Sequence, residues 1–376
     1  MSESSLAFYE VTKLFRYSSQ TKLIILISIL LTLFLSGCAT NLPQSTLYPA
    51  GDVADGQKDL FMLVFWIAAI IFVIVEALLV YIIIRFRQKK GQEDYLPKAT
   101  HGNTMLEIGW TILPVLIVIG ITIPTLRGIA ETYDPPKEFA NTATINVEVV
   151  GAQWWWEYRY LDANGDIDFV TANEMHIPTN TVVKLKLKSV DVIHSFSVPR
   201  LAGTRDVIPG RDNRMWFNAT EEGIFMGQCK EFCGASHALM RTIVVAESHD
   251  NYTQWAANQR LGVPNSYEQT AGWNLFQDKG CVGCHTIRGT TAVGDIGPDL
   301  THFGSRHSIA SNVLHKGEPS VNFVDYYNDL ERDDNLENLK SWLENPPAVK
   351  PGSLMPDLGL TDSEITTLAE FLENLQ

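Results

Sequence analysis

Between Cys229 and Met240 the run Cys-Lys-Glu-Phe-Cys-Gly-Ala-Ser-His-Ala-Leu-Met holds two thiols, a carboxylate, an imidazole and a thioether in one short loop. Cys229 and Cys233 can present sulfur to a single point, His237 adds a nitrogen, and Met240 adds a soft thioether. Thiolate, imidazole and thioether together suit copper rather than magnesium or calcium, which prefer oxygen. A second imidazole is needed upstream, and His194 in Asp191-Val-Ile-His-Ser-Phe-Ser-Val-Pro is the candidate. A zinc site or a disulfide is the plainer reading of two cysteines four apart. Zinc sites, however, repeat the cysteine pair or add two histidines and have no use for a methionine.

A second set of reactive side chains lies in Cys281-Val-Gly-Cys-His285. C-x-x-C-H is an attachment signal for c-type haem: the thiols add to the vinyl groups and the histidine supplies the proximal imidazole. In isolation it could be a redox pair followed by a histidine. The lead-in Gly272-Trp-Asn-Leu-Phe-Gln, the run Gly297-Pro-Asp-Leu and a downstream methionine argue for haem. Met355 is the only methionine after Met240, so it is the thioether available to close the sixth position and raise the potential. His302, His307 and His315 read as polar loop residues.

The runs His194-Ser-Phe-Ser-Val-Pro, Ile208-Pro-Gly-Arg and Gly227-Gln-Cys-Lys-Glu-Phe-Cys-Gly-Ala-Ser-His-Ala-Leu-Met resemble subunit II of haem-copper cytochrome c oxidases. With the haem signal, the chain is similar to the caa-type form, in which a class I cytochrome c domain is fused at the C-terminus. The resemblance covers nearly everything after residue 40. It implies a binuclear copper centre (CuA) in which His194 and His237 each ligate one copper and Cys229 and Cys233 bridge both. Met240 then completes one ion and the backbone carbonyl of Glu231 the other, while the Glu231 side chain reaches a magnesium ion at the boundary with subunit I. The resemblance also implies that Trp154, in Gln153-Trp-Trp-Trp-Glu-Tyr158, is an exposed tryptophan that receives electrons. Strand alternation places Trp154 and Trp156 on one face and Trp155 on the other, with Trp156 packing near the copper loop. His176 and His249 match no ligand position and read as ordinary surface or strand-edge histidines.

The elements that must hold these residues begin with three apolar blocks in the first third of the 376-residue chain. Leu23 to Leu35 follows Lys13, Arg16 and Lys22 and runs into Ser36-Gly-Cys38, the order of a secretory signal. Residues 1–37 therefore read as a lipoprotein-type signal peptide, cut before Cys38 with a lipid anchor on its thiol; an uncleaved span is the alternative. Two further blocks, about 60–84 and 106–126, approach or exceed the roughly 20 residues that cross a bilayer. The basic cluster Arg85-Phe-Arg-Gln-Lys-Lys90 lies between them and marks the cytoplasmic loop. A hairpin follows, with everything after Arg127 outside. The expected location is a bacterial inner membrane, multi-pass, with the soluble part on the periplasmic face. Glu107 opens the second span, and by resemblance it matches the glutamate at the mouth of the K proton path.

From residue 141 the chain turns polar. Ala143 to Val150 and Val182 to Lys188 alternate, Arg241 to Ala246 is β-branched, and Asn164-Gly165 and Pro178-Thr-Asn punctuate. Residues 141–250 thus read as an all-β sandwich or Greek-key barrel, and the resemblance implies the cupredoxin fold. Residues 251–266 read as a linker without regular pattern. Residues 267–376 read as a small all-α class I cytochrome c domain, closed by a helix that buries Ile365, Leu368, Phe371, Leu372 and Leu375. The fold class is accordingly a membrane helical hairpin, an all-β cupredoxin-like sandwich and a small all-α cytochrome c domain. All five cysteines have a chemical assignment, so no structural disulfide is implied.

Residues 251–376 carry 8 basic against 17 acidic residues, about −9, and residues 141–250 carry 10 against 14, about −4. An acidic haem region suits a basic donor such as a soluble cytochrome c and offers nothing to nucleic acid. The resemblance implies a respiratory cytochrome c oxidase subunit passing electrons through haem c and CuA to subunit I, with subunit III also a partner. Oxygen chemistry belongs to subunit I, because this chain lacks the residues for it. The alternatives are the small subunit of a CuA-type nitric oxide reductase and a free-standing membrane-anchored electron carrier.

Overall fold

The computed structural model describes residues 42–88, 101–315 and 335–376, with positions 21, 24, 25, 28, 29, 32 and 91. Cys38, most of the signal-like block, and Lys89 and Lys90 of the basic cluster lie outside the described residues.

Helices α1 (Asp52–Phe86) and α2 (Thr104–Glu131) are both long and apolar enough to cross a membrane. Their large apolar side chains point outward, as at Val73 (64% exposed) and Leu113 (61%), and need lipid or a partner to cover them. Helix α1 starts eight residues before the apolar block at Leu60, because its first turn belongs to the β-domain rather than to a bilayer. Val53 and Ala54 are buried there, and the Asn218 side chain accepts from the Asp52 N–H at 3.0 Å and donates to the Asp52 carboxylate at 2.6 Å. At the far end of α2 the Trp216 indole donates to the Glu131 carbonyl at 2.6 Å, and the Arg205 guanidinium lies 4.1 Å over the Tyr133 ring. Both outer ends of the hairpin thus meet one domain. Glu107 lies in the first turn of α2, at the opposite end, where Asn103 caps the helix and the dipole favours a carboxylate.

Ten strands follow: β1 (Thr144–Ala152), β2 (Trp155–Leu161), β3 (Ile167–Ala172), β4 (Glu174–Pro178), β5 (Val182–Ser189), β6 (His194–Ser197), β7 (Thr204–Val207), β8 (Asn213–Phe217), β9 (Gly223–Gln228) and β10 (Arg241–Glu247). A five-stranded sheet of order β3-β2-β1-β5-β8 faces a three-stranded sheet of order β4-β10-β9, with β6 and β7 paired beside them. Alternation does the sorting: on β2, Trp156, Tyr158 and Tyr160 are buried while the residues between them are half-exposed. Each such side chain contributes on the order of 1.5–3 kcal/mol by leaving water.

The stretch 251–266 is not without regular structure. Helix α3 (His249–Gln259) begins where the Ser248 hydroxyl accepts from the Asn251 N–H. It then lays Trp255 flat on His176, with centroids 4.3 Å apart. Its apolar contacts are few and aromatic, which is why periodicity did not reveal it.

Beyond it lie α4 (Ala271–Asp278), α5 (Asn335–Glu344), the single turn α6 (Pro346–Val349) and α7 (Asp362–Glu373) around a second core, plus a two-residue ladder between β11 (Ser308–Ile309) and β12 (Leu314–His315). Helix α7 opens with a capping box between Thr361 and Glu364 and buries four of the five residues its periodicity predicts, while the fifth, Leu375, is buried just past its end.

The two cores meet along a polar seam. Lys350 donates to the Trp154 carbonyl and, at 3.1 Å, to the Ala310 carbonyl. The Ser236 hydroxyl donates to the Pro351 carbonyl at 2.6 Å, and Ser311 bonds to the Asn173 side chain and the Arg241 carbonyl. Ala310, Ser311 and Asn312 all hold positive φ, a conformation that surroundings must enforce, and these seam contacts do so.

Candidate copper and haem centres

Six donors converge between β6, the end of β9 and the start of β10. The Cys229 and Cys233 sulfurs are 3.8 Å apart; Cys233 Sγ lies 3.6 Å from His237 Nδ1 and 3.8 Å from Met240 Sδ. The Glu231 carbonyl is 3.2 Å from Cys229 Sγ, and the His194 ring reaches the same pair of sulfurs. His194 supplies the sharpest test of a metal. Its Nε2 bonds to the Asp191 carboxylate at 2.8 Å, while its Nδ1 is fully buried with no hydrogen-bond partner. An orphaned imidazole nitrogen beside two thiols, with its other nitrogen on a carboxylate, is the arrangement of a ligating histidine. The residues therefore fit a copper centre.

Electrostatics agree. The hydrogen bond from Cys233 holds the Cys229 thiol well below its usual range, and the proton kept on Cys233 is correspondingly hard to remove. Burial works against a charged His194, but Asp191 and Cys229 outweigh it and raise its pKa. A binding cation displaces these protons. Glu231 itself is exposed.

In the C-terminal domain Cys281, Cys284, His285 and Met355 line one open cleft. His285 Nδ1 bonds to the Pro298 carbonyl at 2.8 Å, which directs Nε2 into the cleft. Burial lowers its pKa, keeping the imidazole neutral as ligation requires. Gly297 makes room: a Cβ there would stand 2.6 Å from the His285 ring.

The same cleft is lined by Trp154 and Trp155 of the β-domain. This corrects the expectation of an exposed Trp154. The residue precedes β2 in a turn, is only 8% exposed, and is covered by Gly352 and Lys350 of the haem domain. Its indole N–H donates to the Cys233 carbonyl at 3.0 Å. Trp156 packs against the candidate ligand His194, with ring centroids 5.9 Å apart. His176 sits on the edge strand β4 but is buried, not at the surface, between Glu174 and Glu247. Asp191, Pro298 and Lys350 were missed in the sequence; Asp191, three residues before a candidate ligand, is the one a local signal could have found.

The fold and its two ligand sets define a membrane-hairpin protein in which a cupredoxin-like domain and a cytochrome c domain stand in series. Residues 40–127 match the cytochrome c oxidase subunit II transmembrane domain, 165–248 its periplasmic domain, and 269–376 the cytochrome c family. The chain is 33% identical over 351 residues to cytochrome c oxidase subunit 2 of Alkalihalophilus pseudofirmus, covering 92% of this chain and 95% of that one. It is 32% identical over 375 residues to the same subunit of Bacillus subtilis (94% and 97%), and 33% identical over 266 residues to quinol oxidase subunit 2 of Bacillus cereus (71% and 89%). The chain belongs to the cytochrome c oxidase subunit II family. Copper in the β-domain and haem c in the C-terminal domain follow from the two families matched.

Proposed function

We propose that this chain is the electron-receiving subunit of a respiratory cytochrome c oxidase, with the haem held by Cys281, Cys284, His285 and Met355 and CuA held by His194, Cys229, Glu231, Cys233, His237 and Met240. Bound in these sites, the haem and the copper pair supply one-electron carriers between a donor and subunit I, where oxygen is reduced to water. The chain's own residues position the two sites. The observation that carries the reading is that Trp154 lines the haem cleft and bonds to the Cys233 carbonyl, so one side chain joins both ligand sets. With Trp154 covered, an external donor docks on the haem domain. Ile296, Leu354 and Leu358 line the cleft and are exposed, offering a rim for a basic cytochrome c drawn in by the domain's acidic charge.

Several finer parts of the proposal rest on position. The exposed Glu231 carboxylate is free to meet a magnesium ion at the subunit I boundary. Glu107, at the inner end of α2, suits a proton-path mouth. The hairpin's exposed apolar faces suit subunits I and III and lipid in a bacterial inner membrane, with the outer domains periplasmic and Cys38 lipidated. The test is metal and haem analysis of the purified complex with oxygen turnover. Two coppers and one covalent haem per chain, with rapid haem-to-copper transfer, support the assignment. Iron without copper overturns it.

A further inference from the structure

A third cluster of ligand-type side chains lies on the seam between the two domains, beside the haem cleft that Arg306 and Ser308 line but using no candidate ligand of either centre. Glu174 and His176 come from β4, and His307 from the haem domain just before β11. Glu174 is 1% exposed and His176 6%. Glu174 Oε2 stands 3.0 Å from His307 Nδ1 and 3.7 Å from His176 Nε2, and one donor atom of each residue lies within 4.8 Å of the others. Ligands about 2.0–2.2 Å from a tetrahedral zinc are separated by distances of this size.

The cluster is also oriented from behind. Glu174 Oε1 accepts the backbone N–H of His307 and, at 2.7 Å, that of Ser308, leaving Oε2 for the centre. His176 Nδ1 is 2.7 Å from a Glu247 oxygen, so Nε2 turns toward Glu174, and Trp255 lies flat against the ring. A carboxylate behind a histidine is the support that metal-bound imidazoles have. Beside the cluster the buried Arg306 guanidinium faces Asp299 and Glu174 and bonds to the Asp299 carbonyl.

We propose that Glu174, His176 and His307 form a three-ligand site for a divalent borderline cation of the zinc type, which staples the haem domain to the copper domain. The ion replaces the proton shared by His307 and Glu174, and a water completes the shell, as in zinc sites with two histidines and one glutamate. Because ligands come from both domains, binding favours the docked arrangement over any other.

The test uses the full chain in its complex, freed of loosely bound metal and titrated with zinc, read by metal stoichiometry and zinc-edge X-ray absorption. One zinc beyond the copper, with a nitrogen and oxygen shell showing imidazole scattering, is expected. His307→Ala should abolish uptake and Glu247→Gln should weaken it about 10–100-fold, both with unchanged haem spectrum and copper spin signal. His307 is partly exposed, so its loss is compatible with folding. Equal zinc binding by wild type and His307→Ala, a shell without imidazole, or no zinc held at micromolar free metal would overturn the site and leave a protonated-histidine lock.

Discussion

The Trp154 indole donates its N–H to the Cys233 carbonyl, and the far edge of the same ring faces Gly352 of the haem domain. One aromatic side chain therefore touches the backbone of a candidate bridging ligand and the wall of the haem cleft. The tryptophan expected at the surface is an internal contact between two fused domains. Encounter, the slow and salt-sensitive step for separate proteins, is removed from this transfer and moved outward to the haem domain.

Replacing Trp154 should slow internal transfer without dismantling either centre. Trp154→Phe keeps a ring and loses one hydrogen bond, a cost of about 1 kcal/mol. Trp154→Leu loses the aromatic contact as well and should be slower. Photoreduction of the haem, followed by optical detection of copper reduction, ranks the variants. Equal rates in all three proteins would remove Trp154 from the route.

Gly352 holds φ at +81°, and a Cβ there would lie 2.7 Å from the Trp154 ring. Gly352→Val meets both the backbone penalty, about 1–3 kcal/mol, and the clash. The domain should lift from its seat, slowing haem-to-copper transfer and exposing residues 260–270 to protease. Haem and copper contents should stay at wild-type values, because Gly352 touches no ligand of either.

Both candidate ligand sets could be read from the sequence because their chemistry is local. Cys229 to Met240 is one loop, and C-x-x-C-H puts three candidate haem-binding residues within five positions. Met355 was chosen as the candidate sixth ligand by elimination. Helix α7 was legible through its periodicity, and α1 only in its bilayer part, since Val53 and Ala54 are buried by a domain rather than by lipid. The seam was not legible. Glu174 and His307 are 133 positions apart and Lys350 and Trp154 are 196 apart, and no periodicity encodes which polar groups two domains bring together. Trp154 was expected at the surface and is buried for that reason.

The carboxylate behind His194 should matter nearly as much as the ligands in front. Asp191→Asn keeps the shape and weakens the charge that orients the ring, and should reduce copper affinity about 10–100-fold. Cys229→Ser removes a bridging sulfur and should abolish the mixed-valence spin signal outright. Haem attachment should survive in both, since Cys281 and Cys284 lie in the other domain. Copper titration followed by electron-spin spectra separates the two outcomes.

Lys350 gives the seam a pH dependence of definite sign. Burial pushes its pKa from 10.5 down to about 7. Between those values the released, solvated lysine keeps its proton while the docked one has lost it, so the undocked state binds more protons. Docking therefore strengthens as pH rises from about 7 toward 10.5, weakens as pH falls back, and is level below about 7. Lys350→Met keeps the aliphatic stem, abolishes this slope, and leaves the Trp154 and Ala310 carbonyls without their donor, at about 1–3 kcal/mol each. Hydrogen exchange of residues 350–355, compared at pH 6.5 and 9.5 after correction for intrinsic exchange, reads the effect. Wild type should gain protection at the higher pH and Lys350→Met should not. Parallel behaviour would mean that the amine stays charged in the seam, and that the two carbonyls suffice to solvate it.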